Sequence, residues 1–372
     1  MSYYSKIVIA MVGILFFLCS ARAGEKIRVT FINPSYSTND FWGTTMKIMQ
    51  AAANDLDMEV TIYHANINRY NHTKFAMQEA GAAAKPDYFI TMYVRQETRN
   101  VLNIMEKAAI KTFIINTDIL PEDKEELGRP REKYKYWIGH MFPDDTRAGY
   151  DLADMLIRTA QDKHLQNKNG EIEIIGISGK HQAPAALSRN QGLRQAVRDH
   201  GQNLRQILFA DWSRELAAKK SLWLMKNRYP DVSVFWAASD LMSLGIIESI
   251  RKAAKIPGQQ VVTGGVDWMP DAFTAIQSGQ MTATVGGQFL EGGWVMVMLH
   301  DYHHGIDFAK KEGVQIRTKM GLIHKGNVQD YLKRFGTRNW DQIDFKRLSK
   351  VHNPDLKTYD FSLDAIAGQL HP

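Results

Sequence analysis

The sequence predicts an α/β protein built as two doubly wound parallel-sheet lobes joined by a three-strand hinge. Three observations lead there. Short runs rich in Val, Ile, Phe and Tyr alternate with longer amphipathic stretches. Many of those runs are apolar at consecutive positions, the pattern of strands covered on both faces. The chain has 372 residues, and ten such runs are too many for one small sheet, so two lobes of about five strands each are the economical arrangement.

The chain opens with MSYYSKIVIAMVGILFFLCSARAGEK. Lys6, an apolar core from Ile7 to Leu18 and the ending Ala21-Arg22-Ala23 form an export leader, with cleavage expected after Ala23. The apolar run is short for a membrane span and no other follows. Cys19 is the only cysteine, and bulky Leu18 before it argues against a lipid anchor. The mature chain therefore has no disulfide, thiol nucleophile or cysteine metal site. That usage fits a soluble protein of the bacterial periplasm.

Five strands come first: KIRVTFINP, MEVTIYHA, PDYFITMY, KTFIINTD and YKYWIGH. Five more follow: EIEIIGISG, LRQILFADW, VSVFWAASD, QVVTGGVD and MTATVGGQ. Between them lie amphipathic helices. Phe41, Ile48, Met49, Ala52 and Leu56 share one face of the first, and Ala148, Leu152, Met155, Leu156 and Thr159 share one face of a later one. Lobe crossings are expected at HMFPDDT, VGGQFLEGG and TKMGLIHKG. The N-terminal lobe is then 24–140 with 288–318, the C-terminal lobe 141–287 with 319–350, and 351–372 a tail. The segment after about Asn327 is expected to pack on the second lobe.

Ligands of open α/β sheets bind beyond the carboxyl ends of the strands. Ser35, Asn39, Phe41 and Trp42 follow the first strand, Tyr93 the third, and Asn116 with Thr117 and Asp118 the fourth. His181 and Arg189 follow the sixth, Asp211 and Trp212 the seventh, Ser239 and Asp240 the eighth, Asp267 and Trp268 the ninth, and Gln288 the tenth. Flat aromatics beside amide, carboxylate and guanidinium groups suit a polyhydroxylated ring, with aromatic faces against C–H surfaces and planar polar groups on paired hydroxyls. Individually they have plainer uses. Asn39, Asp40, Asp240 and Asp271 are placed to cap helices, and Trp212 and Trp268 suit a core or rim.

The motifs in order resemble the ribose/galactose-binding type of periplasmic sugar-binding protein (type I periplasmic binding proteins), whose ligand domain is shared with lactose-repressor-like regulators. STNDFWG resembles that family's Asn-x-aromatic-aromatic turn, and PAALSRNQGLRQAV its segment with an Arg three residues before Gly. VFWAASDLMSLGIIESI and VTGGVDWMPDAFTAIQSGQMTATVGGQ resemble two later stretches. The resemblance implies that Phe41 and Trp42 stack on a ring, Asn39 bonds a hydroxyl, Arg189 and Asp267 make charged bonds, Trp212 stacks from the second lobe, and Gln288 sits at a crossing. Asn116-Thr117 stand where many sugar binders have Asp-Arg, Ser239 stands where Asn is usual, and VGGQ is one residue longer than the usual spacing.

The function implied is a periplasmic solute-binding protein that closes around a small polar ligand and presents it to the permease of an ABC importer. An alternative partner is a membrane sensor kinase. The chain is expected to be a monomer without a cofactor. The net charge of +6 is scattered, without a basic run, so no nucleic-acid partner is expected. His300, His303 and His304 read as a helix end rather than a metal site. GISGK lacks P-loop spacing, and no nucleophile–base order or paired acids argue for an enzyme. An exported carbohydrate-acting enzyme would have to use Asp267 and Asp240, which have no evident partner.

Overall fold

The computed structural model describes residues 26–38 and 40–370. The leader, its cleavage site, Cys19 and Asn39 lie outside the described residues. The first sheet is formed by β1 (Ile27–Asn33), β2 (Met58–His64), β3 (Tyr88–Met92), β4 (Lys111–Ile115), β5 (Trp137–Pro143) and β11 (Gln315–Thr318). Its order is β11-β5-β4-β3-β1-β2, with every pair parallel. The second sheet uses β6 (Glu173–Ser178), β7 (Asn203–Phe209), β8 (Val234–Ala237), β9 (Val262–Val266), β10 (Ala283–Gly286) and β12 (Gly321–His324). Its order is β12-β10-β9-β8-β6-β7, and only β12 runs antiparallel, against β10.

Helices cover both sheets. Four belong to the first half: α1 (Asp40–Asp55), α2 (Tyr70–Gly81), α3 (Thr98–Ala108) and α4 (Pro121–Leu127). Five follow β5: α5 (Asp145–Asp162), α6 (Pro184–Asp199), α7 (Arg214–Asn227), α8 (Asp240–Lys252) and α9 (Pro270–Gln277). The remainder are α10 (Glu291–His303), α11 (Val328–Phe335) and α12 (Leu363–Ala367). Strands β4, β5, β8 and β9 are buried almost throughout, which is why their sequences read as unbroken apolar runs. On α1 the buried set is Ile48, Met49 and Ala52 with their neighbours, and on α5 it is Ala148, Leu152 and Leu156.

The chain crosses between sheets three times: from β5 into α5, from β10 into α10, and from β11 to β12. The first lobe runs three residues further than 140, because β5 pairs with β11 as far as Pro143. The tail also differs from expectation. Helix α11 packs on α9 and β12 of the second lobe, but the turns Trp340–Gln342 and Phe345–Leu348 pack on α1 and α10 of the first. Asp301 of α10 anchors them: it accepts from the Ser349 hydroxyl (2.5 Å), the Lys350 N–H (2.6 Å) and the Tyr359 hydroxyl (3.0 Å). Among the described residues no helix is long and apolar enough to cross a membrane.

Candidate ligand cleft

The second-lobe half of the site is one connected cluster. Gly149 in α5 lets α6 approach so closely that a β-carbon there would lie 2.1 Å from the Arg189 carbonyl oxygen. That contact sets Arg189 beside Asp145, in the first turn of α5. The Arg189 Nε–H donates to Asp145 Oδ1 (2.7 Å) and Nη1 donates to the Ala238 carbonyl (2.8 Å). Asp267 Oδ1 lies 3.8 Å from Nη1 and accepts from the Gln288 side-chain amide (2.8 Å). The Trp212 ring lies under the guanidinium, 5.8 Å from its carbon. Trp212 in turn rests on Gly179, where a β-carbon would come within 2.2 Å of the ring. Arg189, Trp212, Asp267 and Gln288, predicted from scattered motifs, are therefore brought together.

The electrostatics follow from burial. Burial pushes the Asp267 carboxyl up to about 8 against the pull of Arg189, and it pushes the Asp145 carboxyl up as well. Burial opposes charge on Arg189, but Asp145 and Asp267 more than offset it. Gln288 is 1% exposed, and its Oε1 has no hydrogen-bond partner among the described residues. A buried amide oxygen without a donor is costly, so the site offers an acceptor still to be satisfied.

The first-lobe half is aromatic. Phe41 and Trp42 stand in the first turn of α1, half-buried, with rings 5.2 Å apart and edge to face. Phe31 of β1 supports Trp42 from below, centroid to centroid 6.2 Å. Asn116 follows β4, and its backbone N–H donates to Glu291 Oε2 (2.8 Å).

Backbone strain gathers at these ends. Asn116 (φ 68°), Asp211 (φ 51°), Trp212 (φ 63°), Asp267 (φ 121°) and Trp268 (φ 55°) all lie at positive φ although none is glycine. Such conformations cost about 1–3 kcal/mol each and persist where the surroundings hold them, commonly at ligand sites.

Three predicted residues lie inside the protein, two of them with side chains in internal hydrogen bonds. Tyr93 is 2% exposed in an apolar cluster and its hydroxyl donates to Asp123, so it is a core residue of the first lobe. Ser239 caps α8, accepting from the Met242 N–H (3.4 Å). Ser35 is buried, with its backbone N–H on Asn33 Oδ1 (3.0 Å). Asp240 is not a cap: it accepts from the Thr284 hydroxyl (2.7 Å) and the Met269 N–H (2.9 Å), and burial raises its carboxyl to about 7. No group of three or more His, Cys, Asp or Glu among the described residues is arranged to hold a metal ion.

Two residues escaped the sequence reading. Asp145 looks like an ordinary acid in a helix first turn. Glu291 opens an apolar helix, EGGWVMVML, and that burial was the available signal. Besides Asn116 it binds the Thr318 hydroxyl (2.5 Å), so one carboxyl ties the second crossing, the third crossing and the end of β4 together. Beside the cluster, a groove of about 840 Å³ opens between the Asp118–Lys124 segment and α5/α6, lined by Arg147, Tyr150, Ser188 and Gln191 among others.

Two parallel-sheet lobes, three crossings and polar and aromatic groups gathered at strand carboxyl ends define a two-lobed binding protein. Residues 29–304 match the family described as periplasmic binding protein domain, and the chain belongs to that family. It is 25% identical over 252 residues to the D-galactose/methyl-galactoside binding periplasmic protein of Haemophilus influenzae, covering 62% of this chain and 73% of that protein. It is 33% identical over 155 residues to the ribose import binding protein of Salmonella typhimurium, covering 40% of this chain and 46% of that one. Among solved structures, a periplasmic sugar-binding protein from Pseudomonas fluorescens superposes with a TM-score of 0.81 at 30% identity, covering 91% of this chain and 99% of the other. All three are named as binding proteins, and the second as an import binding protein. A galactofuranose binding protein at 19% identity and TM-score 0.70 shares the fold.

Proposed function

We propose that this chain is an exported binding protein that closes its lobes around a monosaccharide or a polyol of similar size and presents the closed form to the membrane permease of an ABC importer. The observation that carries the reading is the convergence of Arg189, Trp212, Asp267 and Gln288 at the second-lobe strand ends, with the Phe41–Trp42 pair at the carboxyl end of the first sheet. The names of the relatives support a sugar.

In this reading Phe41 and Trp42 cover one face of the ring and Trp212 the other. In the complex the Arg189 guanidinium, whose Nε and Nη1 hold Asp145 and the Ala238 carbonyl, donates through Nη2 to ring hydroxyls, and Asp267 and the free Gln288 oxygen accept from them. Asn116 adds contacts from the first lobe. Closure buries the ligand, and a partner that prefers the closed form is recruited by population shift.

A thermal-shift screen of pentoses, hexoses and polyols tests this. A bound sugar at about 100 times its Kd should stabilise the folded state by about 2.7 kcal/mol. A melting curve that no member of the panel moves would remove the sugar.

A further inference from the structure

Arg338 belongs to neither sheet, yet its guanidinium holds both lobes. Nη1 donates to the Thr44 hydroxyl (3.3 Å) in α1, one turn beyond Phe41 and Trp42, and Nη2 donates to the Trp268 carbonyl (2.8 Å), next to Asp267. The backbone at Arg338 is left-handed, with φ 50°, although the residue is not glycine. The segment that delivers it is anchored on both sides. Tyr331 packs edge-on to Trp268 (4.6 Å) and against Phe273 (4.7 Å), while Trp340 packs on Phe289 (5.6 Å). Phe345 lies against Gly293 of α10 in the first lobe. Burial weakens the guanidinium's hold on its proton, and Asp40 and Asp240 are the facing carboxylates. A half-buried cation at that position is satisfied by one acceptor from each lobe.

We infer that Arg338 is a positioning residue for the ligand cleft: the C-terminal strap uses it to tie the first turn of α1 to the Asp267–Trp268 turn, and so limits how far the lobes part before ligand arrives. This rests on the two-lobed binding reading but not on the sugar. The strap carries the chain from α11 on the second lobe to the turns at 340–348 on the first, a further passage beyond the three between the sheets, and the Arg338 bridge pins that passage to both lobes on the α1–α9 side of the cleft. It keeps the aromatic platform and Asp267 within closing distance, reducing the conformational change that binding must drive.

The test needs no ligand. Because Cys19 is the only native cysteine and precedes the expected cleavage site, Asn100→Cys and Lys219→Cys, on the exposed faces of α3 and α7, give a clean spin-label pair across the lobes. Electron–electron distance measurement on the unliganded protein should show a longer and broader distribution for Arg338→Ala than for Arg338. Arg338→Lys, which reaches one acceptor, should fall between. Thr44→Val removes the first-lobe acceptor, together with the hydroxyl's bond to the Asp40 carbonyl (2.9 Å), and should shift the distribution in the same direction with little change in the urea midpoint. Distributions that superpose on the unsubstituted protein for Arg338→Ala and Thr44→Val, or a lower urea midpoint with no change in distance, would overturn the proposal. Should Arg338→Ala fail to fold, Thr44→Val decides alone. A failed sugar screen with widened distances would sink the sugar reading and leave this one standing.

Discussion

Arg189 is the residue whose replacement separates folding from binding. It is buried between two carboxylates, with Asp145 at 2.7 Å and Asp267 at 3.8 Å. Removing one partner of a buried ion pair strands the other and costs about 3–5 kcal/mol. Arg189→Met keeps the stem volume and deletes the charge, so it should lower the urea midpoint by about 1 M or more. The ligand effect is separate. Two charge-assisted bonds from Nη2, at about 1.5–3 kcal/mol each, amount to a 10²–10⁴-fold loss of affinity. Pairing Arg189→Met with Asp145→Asn removes the stranded acid and should recover at least half of the stability without recovering binding. Urea unfolding and titration calorimetry with the sugar from the screen read the two effects independently. A single variant as stable as the unsubstituted protein would show that Arg189 holds no buried ion pair, and a double variant that binds normally would remove it from the site.

Gly179→Ala should drive its new methyl into Trp212, tilt the ring away from Arg189 and weaken sugar binding about tenfold or more, measured by the same calorimetry. Glu291→Gln should change the pH dependence of stability. Burial raises the Glu291 carboxyl to about 8, so its contribution is complete below the usual carboxylate range near 4.5 and is lost as pH rises through 8. Urea midpoints from pH 5 to pH 9 should therefore fall less steeply in the Gln variant, and parallel slopes would contradict the assignment. Mass spectrometry of the exported protein should find a chain beginning at Gly24, whereas an intact leader would argue for an anchor.

The central strands were legible because burial on both faces leaves no polar alternation to blur them, and the partly buried edge strands β2 and β7 because they are rich in β-branched and large apolar residues. Strands β11 and β12 were not, since Gln-Ile-Arg-Thr and Gly-Leu-Ile-His are four-residue edge segments with little apolar content. Their crossing was visible only as the loop TKMGLIHKG. In the cleft, Arg189, Trp212, Asp267 and Gln288 were legible from their places after strands. Tyr93 and Ser239 show the weakness of that rule: position after a strand does not say whether a side chain turns outward, into the core or back to cap a helix. Asp145 and Glu291 were hidden because first-turn acids usually serve the helix dipole. The strap was hidden for another reason, because the Arg338–Thr44 bond joins residues 294 apart in sequence and no local pattern records it.

Closure around a sugar is read by small-angle X-ray scattering with and without the sugar that the thermal screen retains. The radius of gyration should fall on saturation, return on dialysis and stay unchanged in Arg189→Met. A radius unchanged at saturating sugar would contradict it.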